Sequence, residues 1–302
     1  MIPFISFEDG DKLLDWLPLT DALAAGHDQP KADIGDTFLY RAEDTLLSRS
    51  AFIDGLGAAV KSATVFPGNP AKGKPMIHGA VTLFSDTDGT PEALLDFHLV
   101  TKWKTAGDSL LAARRLARPD SENILIVGAG TVGRNLFAAY SSLFPKARFQ
   151  VWNRTRANAE EMCADCPGLA VADDLETAVR GADIVTSATM STTPVLRGEW
   201  LQPGTHLDLI GAYRPDMREV DDTALTRSRI FVDSRDTTIG HIGEIEIPLA
   251  AGTIQHSDIL ADYYELGAFT RAPEDITLFK NGGGAHLDLM TARYILDRWK
   301  AA

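Results

Sequence analysis

The run Ile124-Leu-Ile-Val-Gly-Ala-Gly-Thr-Val-Gly133 constrains this 302-residue chain more than any other stretch. A short β-branched strand leads into Gly128, Gly130 and Gly133, the spacing with which a Rossmann unit grips a dinucleotide. The first glycine permits the tight turn, the second lets the backbone approach the pyrophosphate, and the third lets helix and strand pack closely. Amides at the start of the following helix, from Gly130 through Thr131, Val132 and Gly133, would face the phosphates. Three glycines alone could be an ordinary strand-to-helix turn. The apolar strand before them, the helical pattern after them and a second strand, Phe149-Gln-Val-Trp152, favour a dinucleotide site.

Composition narrows the partners. A net charge of −13 argues against a nucleic-acid surface or an anionic membrane and leaves room only for a local cationic pocket. The two cysteines form Cys163-Ala-Asp-Cys166, outside any thioredoxin-like setting, and read as ordinary helix and loop residues. The N-terminus acquires charge too early for a signal peptide, and no apolar run approaches membrane-spanning length. A cytoplasmic protein is expected.

The first part of the chain mixes short strands, turns and helices. Leu13, Leu14, Leu17, Leu19, Ala22 and Leu23 recur at helical spacing, with Pro18 expected to break or restart that helix. Strands are expected over Ala58–Phe66 and Gly79–Phe84, and Glu92–Phe97 could pair with the latter as a hairpin. Leu99–Leu116 reads as a long helix, followed by a short linker at Pro119. Strands and helices then alternate: a helix over about Arg134–Leu143, strands near Leu169, Ala182–Ala188, Thr205–Ile210 and Arg229–Asp233. That order predicts an α/β fold with a mostly parallel sheet. The apolar pattern of Leu287–Trp299 predicts a last helix able to pack back on the first domain. The expected division is residues 1–118, completed by 286–302, and a Rossmann domain over 119–285.

The second strand of the nucleotide fold ends Trp152-Asn153-Arg154-Thr155. An NAD-selective site usually carries an acid there for the ribose 2′-hydroxyl. Arg154 instead offers a guanidinium to a 2′-phosphate, with Asn153 and Thr155 as further donors, although a solvated turn arginine is the simpler alternative. NADPH is therefore expected in preference to NADH.

Before the nucleotide fold lie Arg41, Arg49, Lys61, Lys102 and Lys104. Reduction of an α-imino or α-keto acid needs a cation for the carboxylate and an acid near the centre that receives hydride. Lys61 sits in an apolar strand, facing either the core or solvent. Lys104, at the start of the Ala-rich helix, reads as solvated when taken alone. Asp86 and Asp88 read as turn formers. The seven histidines are dispersed and make no metal motif, and no nucleophile elbow is present, so metal or hydrolytic chemistry is not expected.

Several stretches together resemble the ornithine cyclodeaminase/mu-crystallin family. They are Val60-Lys-Ser-Ala-Thr-Val-Phe-Pro-Gly-Asn69, Asp86-Thr-Asp-Gly-Thr-Pro91, the Gly128 fingerprint, Thr186-Ser-Ala-Thr189, Gly211-Ala-Tyr-Arg-Pro-Asp-Met-Arg-Glu-Val-Asp221 and Phe279-Lys-Asn-Gly-Gly-Gly-Ala285. The resemblance implies a first α+β domain built from both chain ends that dimerises and carries substrate cations. It assigns Arg41 and Lys61 to the substrate carboxylate and imine, and Lys104 to the place of the family's helix-start arginine. It also sets Ala188, Thr189 and Gly211 beside the cofactor. The end of the second strand is similar to that of NADPH-using ketimine reductases. Cyclodeaminases of the family place an aspartate shortly after the glycine matching Gly211, where this chain has Tyr213.

These features predict an NAD(P)H-dependent reductase of a small α-imino acid, with Lys61 or an ordered water giving the proton. Iminosuccinate-like and cyclic imines both fit the sequence, and alanine-dehydrogenase-like oxidoreduction differs only in substrate. Ornithine cyclodeamination and a non-catalytic, crystallin-like dinucleotide-binding protein are the remaining alternatives. The expected partners are a small imino or amino acid and a second copy of the chain.

Overall fold

The computed structural model describes residues 2–302, and residue contacts divide it into two compact units. One comprises residues 1–104 with 284–302, and the other residues 105–283. The cut falls inside a helix, upstream of the linker at Pro119 where the sequence suggests it.

The first unit is built on six strands: β1 (Phe4–Ile5), β2 (Asp33–Arg41), β3 (Asp44–Ile53), β4 (Gly57–Val65), β5 (Ile77–Phe84) and β6 (Pro91–Asp96). They are ordered β1-β6-β5-β4-β3-β2, antiparallel from β2 to β6, with β1 parallel to β6. Two helices, α1 (Phe7–Asp11) and α2 (Trp16–His27), follow β1. Pro18 does not interrupt α2, because it occupies the first turn, where its missing N–H has no helical acceptor to satisfy. The C-terminal helix, Ala285–Ala301, packs against α2, β3 and β4. It buries Leu289, Ala292, Ile295 and Leu296 beside a core that includes Leu19, Leu23, Ile53, Val81, Leu83 and Leu95. Each fully buried Leu or Ile side chain contributes about 1.5–3 kcal/mol.

Burial alternates along β4, so that Ala59, Lys61 and Ala63 share the covered face. The β2–β3 hairpin is absent from the sequence reading for a physical reason: all nine residues of β2 are exposed, which leaves no apolar alternation to detect.

Helix α3 (Phe97–Leu116) leads into the second unit. Its strands are β7 (Asn123–Val127), β8 (Arg148–Trp152), β9 (Leu169–Val171), β10 (Ile184–Ser187), β11 (His206–Leu209), β12 (Arg229–Val232), β13 (Ile259–Ala261) and β14 (Thr277–Lys280). All pair in parallel, in the order β13-β12-β14-β11-β10-β7-β8-β9. Every residue of β10, β11 and β14 is buried, as in a parallel sheet covered on both faces. Intervening helices include α4 (Thr131–Leu143), α5 (Arg156–Asp165), α6 (Leu175–Arg180) and α7 (Asp222–Arg227). From β7 the chain winds one way through β8 and β9, then returns to β10 on the other side. The carboxyl ends of β7 and β10 therefore flank the topological switch point, where open α/β sheets bind ligands.

Candidate active site

At that switch point, Gly128, Ala129, Gly130, Asn153, Arg154, Thr155, Ala188 and Thr189 line a cavity of about 340 Å³. Gly128 has φ +112°, and a Cβ there would meet the Ala188 carbonyl at 2.7 Å. A Cβ on Gly133 would lie 2.1 Å from the Gly128 carbonyl, whereas one on Gly130 meets no atom within 4 Å. The first and third glycines thus close the turn, and the second leaves space for a ligand. Helix α4 begins at Thr131, earlier than its apolar pattern suggests, and its N-cap Gly130 supplies no side-chain acceptor. The first-turn amides of Thr131, Val132 and Gly133 belong to a helix terminus suited to phosphate. These features fit a dinucleotide.

Contacts within the chain engage several of the groups expected at the cofactor. Asn153 braces the glycine loop: its Oδ1 accepts from Ala129 N at 3.2 Å and its Nδ2 donates to the Thr155 carbonyl at 2.9 Å. Arg154 stands exposed at the cavity rim. Thr189 and Gly211 donate their amides to the buried Glu219 carboxylate at 2.7 and 2.6 Å. Burial raises the Glu219 carboxyl, against the opposing charge of Lys280. Glu244, beneath it, accepts from the backbone N–H of Glu219 at 2.7 Å and of Val220 at 3.2 Å. Burial and the neighbouring Glu219 charge push Glu244 up to about 7.

The first unit gathers a separate polar cluster. Lys61 and Lys104 are each only 5% exposed, and Asp288 on the C-terminal helix is 1% exposed. Lys61 Nζ donates to Asp288 Oδ1 at 2.8 Å, and Lys104 Nζ lies 3.7 Å from the same oxygen. Burial opposes the Asp288 charge, but Lys104, Lys61 and Arg49 outweigh it and hold the carboxyl below the ordinary range. Arg49 pairs in register with Lys61 across β3 and β4, and its guanidinium engages Asp36 at 2.9–3.1 Å. His286 is buried nearby. Desolvation, then His27, Lys104 and Arg49, push it well below the imidazole range, so it carries no charge at neutral pH.

Arg41 does not join this cluster, which corrects its assignment beside Lys61. It sits at the far end of the β2–β3 hairpin, 78% exposed, bonded to Asp44 Oδ2 at 2.9 Å and 5.5 Å from the Phe66 ring centroid. Asp36, not Arg41, lies opposite Arg49, and Arg41 is about 16 Å further along β2 at ~3.3 Å per residue. The guanidinium beside Lys61 is that of Arg49. Lys104 is buried, not solvated. Asp288 is absent from the sequence reading, although an acid in line with Ala292 and Ile295 on an apolar helix face signals a buried cationic partner. Tyr213 is 56% exposed.

The described residues therefore form a doubly wound dinucleotide-binding unit and a second α+β unit carrying a buried Lys–Lys–Asp cluster. Residues 52–302 match the ornithine cyclodeaminase/mu-crystallin family. This chain belongs to that family. It is 50% identical over 301 residues to the Delta(1)-pyrroline-2-carboxylate reductase of Paracoccus denitrificans, covering 97% of this chain and 95% of that protein. Among solved structures, the Thermococcus litoralis Delta(1)-pyrroline-2-carboxylate reductase with NADH and L-proline superposes with a TM-score of 0.89 at 26% identity. That match covers 100% of this chain and 98% of the other. An archaeal alanine dehydrogenase dimer with bound NAD gives the same score and identity over 99% and 96% of the two chains.

The Glu244 shift predicts a pH effect on stability. A carboxyl raised in the folded state stabilises fully below its unfolded value and loses that contribution as pH rises through the folded value. In Glu244→Gln the titration is gone, and any hydrogen-bond mismatch is independent of pH. The Tm of this variant minus that of the wild type is expected to increase between pH 5 and pH 8, as read by thermal unfolding. A constant difference would contradict the assignment.

Proposed function

We propose that this protein reduces a small cyclic α-imino acid of the Δ1-pyrroline-2-carboxylate type to the corresponding amino acid, at the expense of NAD(P)H. The observation carrying this reading is the charge balance of the first unit's cluster. Lys61, Lys104 and Arg49 bring three positive charges, and Asp288 and Asp36 offset two. One net positive charge remains, matching one carboxylate. A dicarboxylic imine such as iminosuccinate would bring a second negative charge without a counterpart. The identity to the Paracoccus denitrificans reductase points the same way.

When bound, the dinucleotide supplies the hydride that reduces the carbon–nitrogen double bond. The chain's own groups bind the substrate and manage the proton. Lys61 uses one N–H to hold Asp288 and has others to offer a carboxylate or an imine nitrogen. Lys104 and Arg49 add field for the carboxylate, and Asp288 keeps both lysines in place. Cyclodeamination lacks support, since the exposed Tyr213 stands where a carboxylate would be needed. Purified protein with NADPH or NADH and Δ1-pyrroline-2-carboxylate is expected to consume cofactor and yield proline. No consumption with cyclic imines, or faster turnover of iminosuccinate, would overturn the reading.

The exposed Arg154 at the cavity rim, with no acid in Asn153-Arg154-Thr155, supports NADPH over NADH. A second copy of the chain is the expected partner. Phe38, Leu39 and Tyr40 of edge strand β2 and Leu46 of β3 are 43–74% exposed, leaving apolar side chains on both faces of the hairpin's end. The archaeal alanine dehydrogenase of similar fold is a dimer, which supports a second copy as the partner.

Three outcomes test these assignments. Lys61→Met, which keeps bulk but loses the donors, is expected to lower turnover by about 10²–10⁴-fold with nucleotide affinity kept. Near-normal steady-state turnover would remove Lys61 from the site. For Arg154→Ala, fluorescence titration should show NADPH weakened by roughly tenfold or more and NADH little changed, as expected for a lost charge-assisted bond of ~1.5–3 kcal/mol. Equal effects would mean that Arg154 does not read the 2′-phosphate. Sedimentation of the wild type is expected at twice the 32.7 kDa chain mass. Leu39→Asp should shift it toward the monomer, whereas an unchanged dimer would place the interface elsewhere.

A further inference from the structure

Glu219 has no solvent exposure, yet its carboxylate accepts five hydrogen bonds. Oε1 takes Ser187 Oγ at 2.6 Å, Thr189 N at 2.7 Å and Thr189 Oγ1 at 2.8 Å. Oε2 takes Gly211 N at 2.6 Å and Ala212 N at 3.3 Å. Ser187 ends β10 and Gly211 follows β11, so one side chain joins the two loops leaving adjacent strands. The loops touch closely: a Cβ on Gly211 would stand 1.9 Å from the Thr189 carbonyl. Glu244 fixes the Glu219 backbone from below. Lys280 Nζ donates to the Leu209 and Asn281 carbonyls at 2.9 and 2.7 Å, holding the end of β11.

Sheet order says which part of the ligand these loops meet. With the pyrophosphate at Gly128–Gly133, the adenosine half extends toward β8, where Asn153 and Arg154 lie. The nicotinamide half must then extend to the other side of β7, over β10 and β11. Ala188 and Thr189, which line the cavity, belong to that side. We infer that Glu219 is a positioning residue that shapes the nicotinamide-side wall of the dinucleotide site, acting through Thr189 and Gly211. The inference rests on the dinucleotide-dependent reading given above.

The need for a carboxylate follows from donor counting. Three of the five donors are backbone N–H groups on two different oxygens, and an N–H cannot reverse its role. Glutamine has a single acceptor oxygen, so its NH₂ must face either Thr189 N–H or the Gly211 and Ala212 N–H groups. Aspartate is one methylene too short to span both loops. Neither substitution reproduces the wall.

The experiment compares ligands that contain and lack the nicotinamide half. For the full-length wild type and Glu219→Gln, NADPH and NADH affinities are read by nicotinamide fluorescence. ADP-ribose and its 2′-phosphate are read by calorimetry. The variant is expected to bind the dinucleotides roughly tenfold more weakly and the ADP-ribose ligands within about twofold of wild type. An equal loss for both classes would mean a scaffold role only and would overturn the inference, as would unchanged dinucleotide affinity. If Glu219→Gln does not fold, Ser187→Ala removes one of the five bonds. It should weaken the dinucleotides alone by about threefold, and no change, or equal weakening of both classes, would count against Glu219. A wild type that binds neither class would overturn the dinucleotide reading itself, a result distinct from failure of the variant comparison.

Discussion

The first unit depends on the buried ion pair between Lys61 and Asp288. The two residues are 227 positions apart, and their contact fastens the C-terminal helix to an interior strand of a sheet formed early in the chain. Taking both charges out of water costs several kcal/mol per ion, and mutual attraction recovers this only in good geometry. Removing one partner of such a pair costs about 3–5 kcal/mol, while a well-packed apolar pair in its place is often neutral or stabilising. Stability alone therefore gives no reason to keep lysine in the covered face of β4. Chemistry does: a lysine pinned by one N–H to a rigid helix keeps its other donors in a fixed direction.

The two units use buried charge in opposite ways. In the first, cations outnumber acids, and Asp288 stays ionised in spite of burial because Lys104 and Lys61 lie beside it. In the second, buried carboxylates serve backbone N–H groups. Glu219 and Glu244 replace the hydrogen bonds that irregular loops cannot make among themselves, satisfying the demand every buried amide imposes. Burial raises both carboxyls, the Glu219 charge adds to the rise of Glu244, and Lys280 offsets part of each. One arrangement suits anion binding, and the other suits shaping a wall.

What was legible in the sequence divides along the same physical line. Gly128, Gly130 and Gly133 announce themselves because backbone geometry at one short turn demands them, and no distant contact is needed to explain them. The alternating αβ order follows from periodicities of 3.6 and 2, but those periodicities leave Lys61 facing either the core or solvent, and the structure sets it on the covered face of β4. The family resemblance points to Arg41, whereas the structure sets Arg49 beside Lys61, a difference that only strand register decides. That register is fixed by the β3–β4 turn, where Gly55 and Gly57 both have positive φ, and by an edge strand with no apolar pattern. Asp288 and Glu219 were missed because their partners lie 227 and up to 32 positions away in sequence. Long-range pairing leaves no local trace beyond an acid standing where an apolar residue is expected.

The position of Lys104 bears on substrate shape as well as charge. In the family pattern this helix start carries arginine, whose planar fork can grip a carboxylate through two parallel bonds and so orient it. Here the guanidinium of Arg49 is already committed to Asp36, and Lys61 and Lys104 present compact ammonium groups. Point charges attract a carboxylate without fixing its plane. Either kind of imine rotates about the bond to its carboxylate, but an acyclic one must also freeze the torsions of its side chain, at a cost in entropy that these groups do not offset. A ring that contains the imine nitrogen arrives with fewer torsions to freeze. The charge balance and the loss of a free fork thus both favour the proposed substrate, a compact cyclic monocarboxylate.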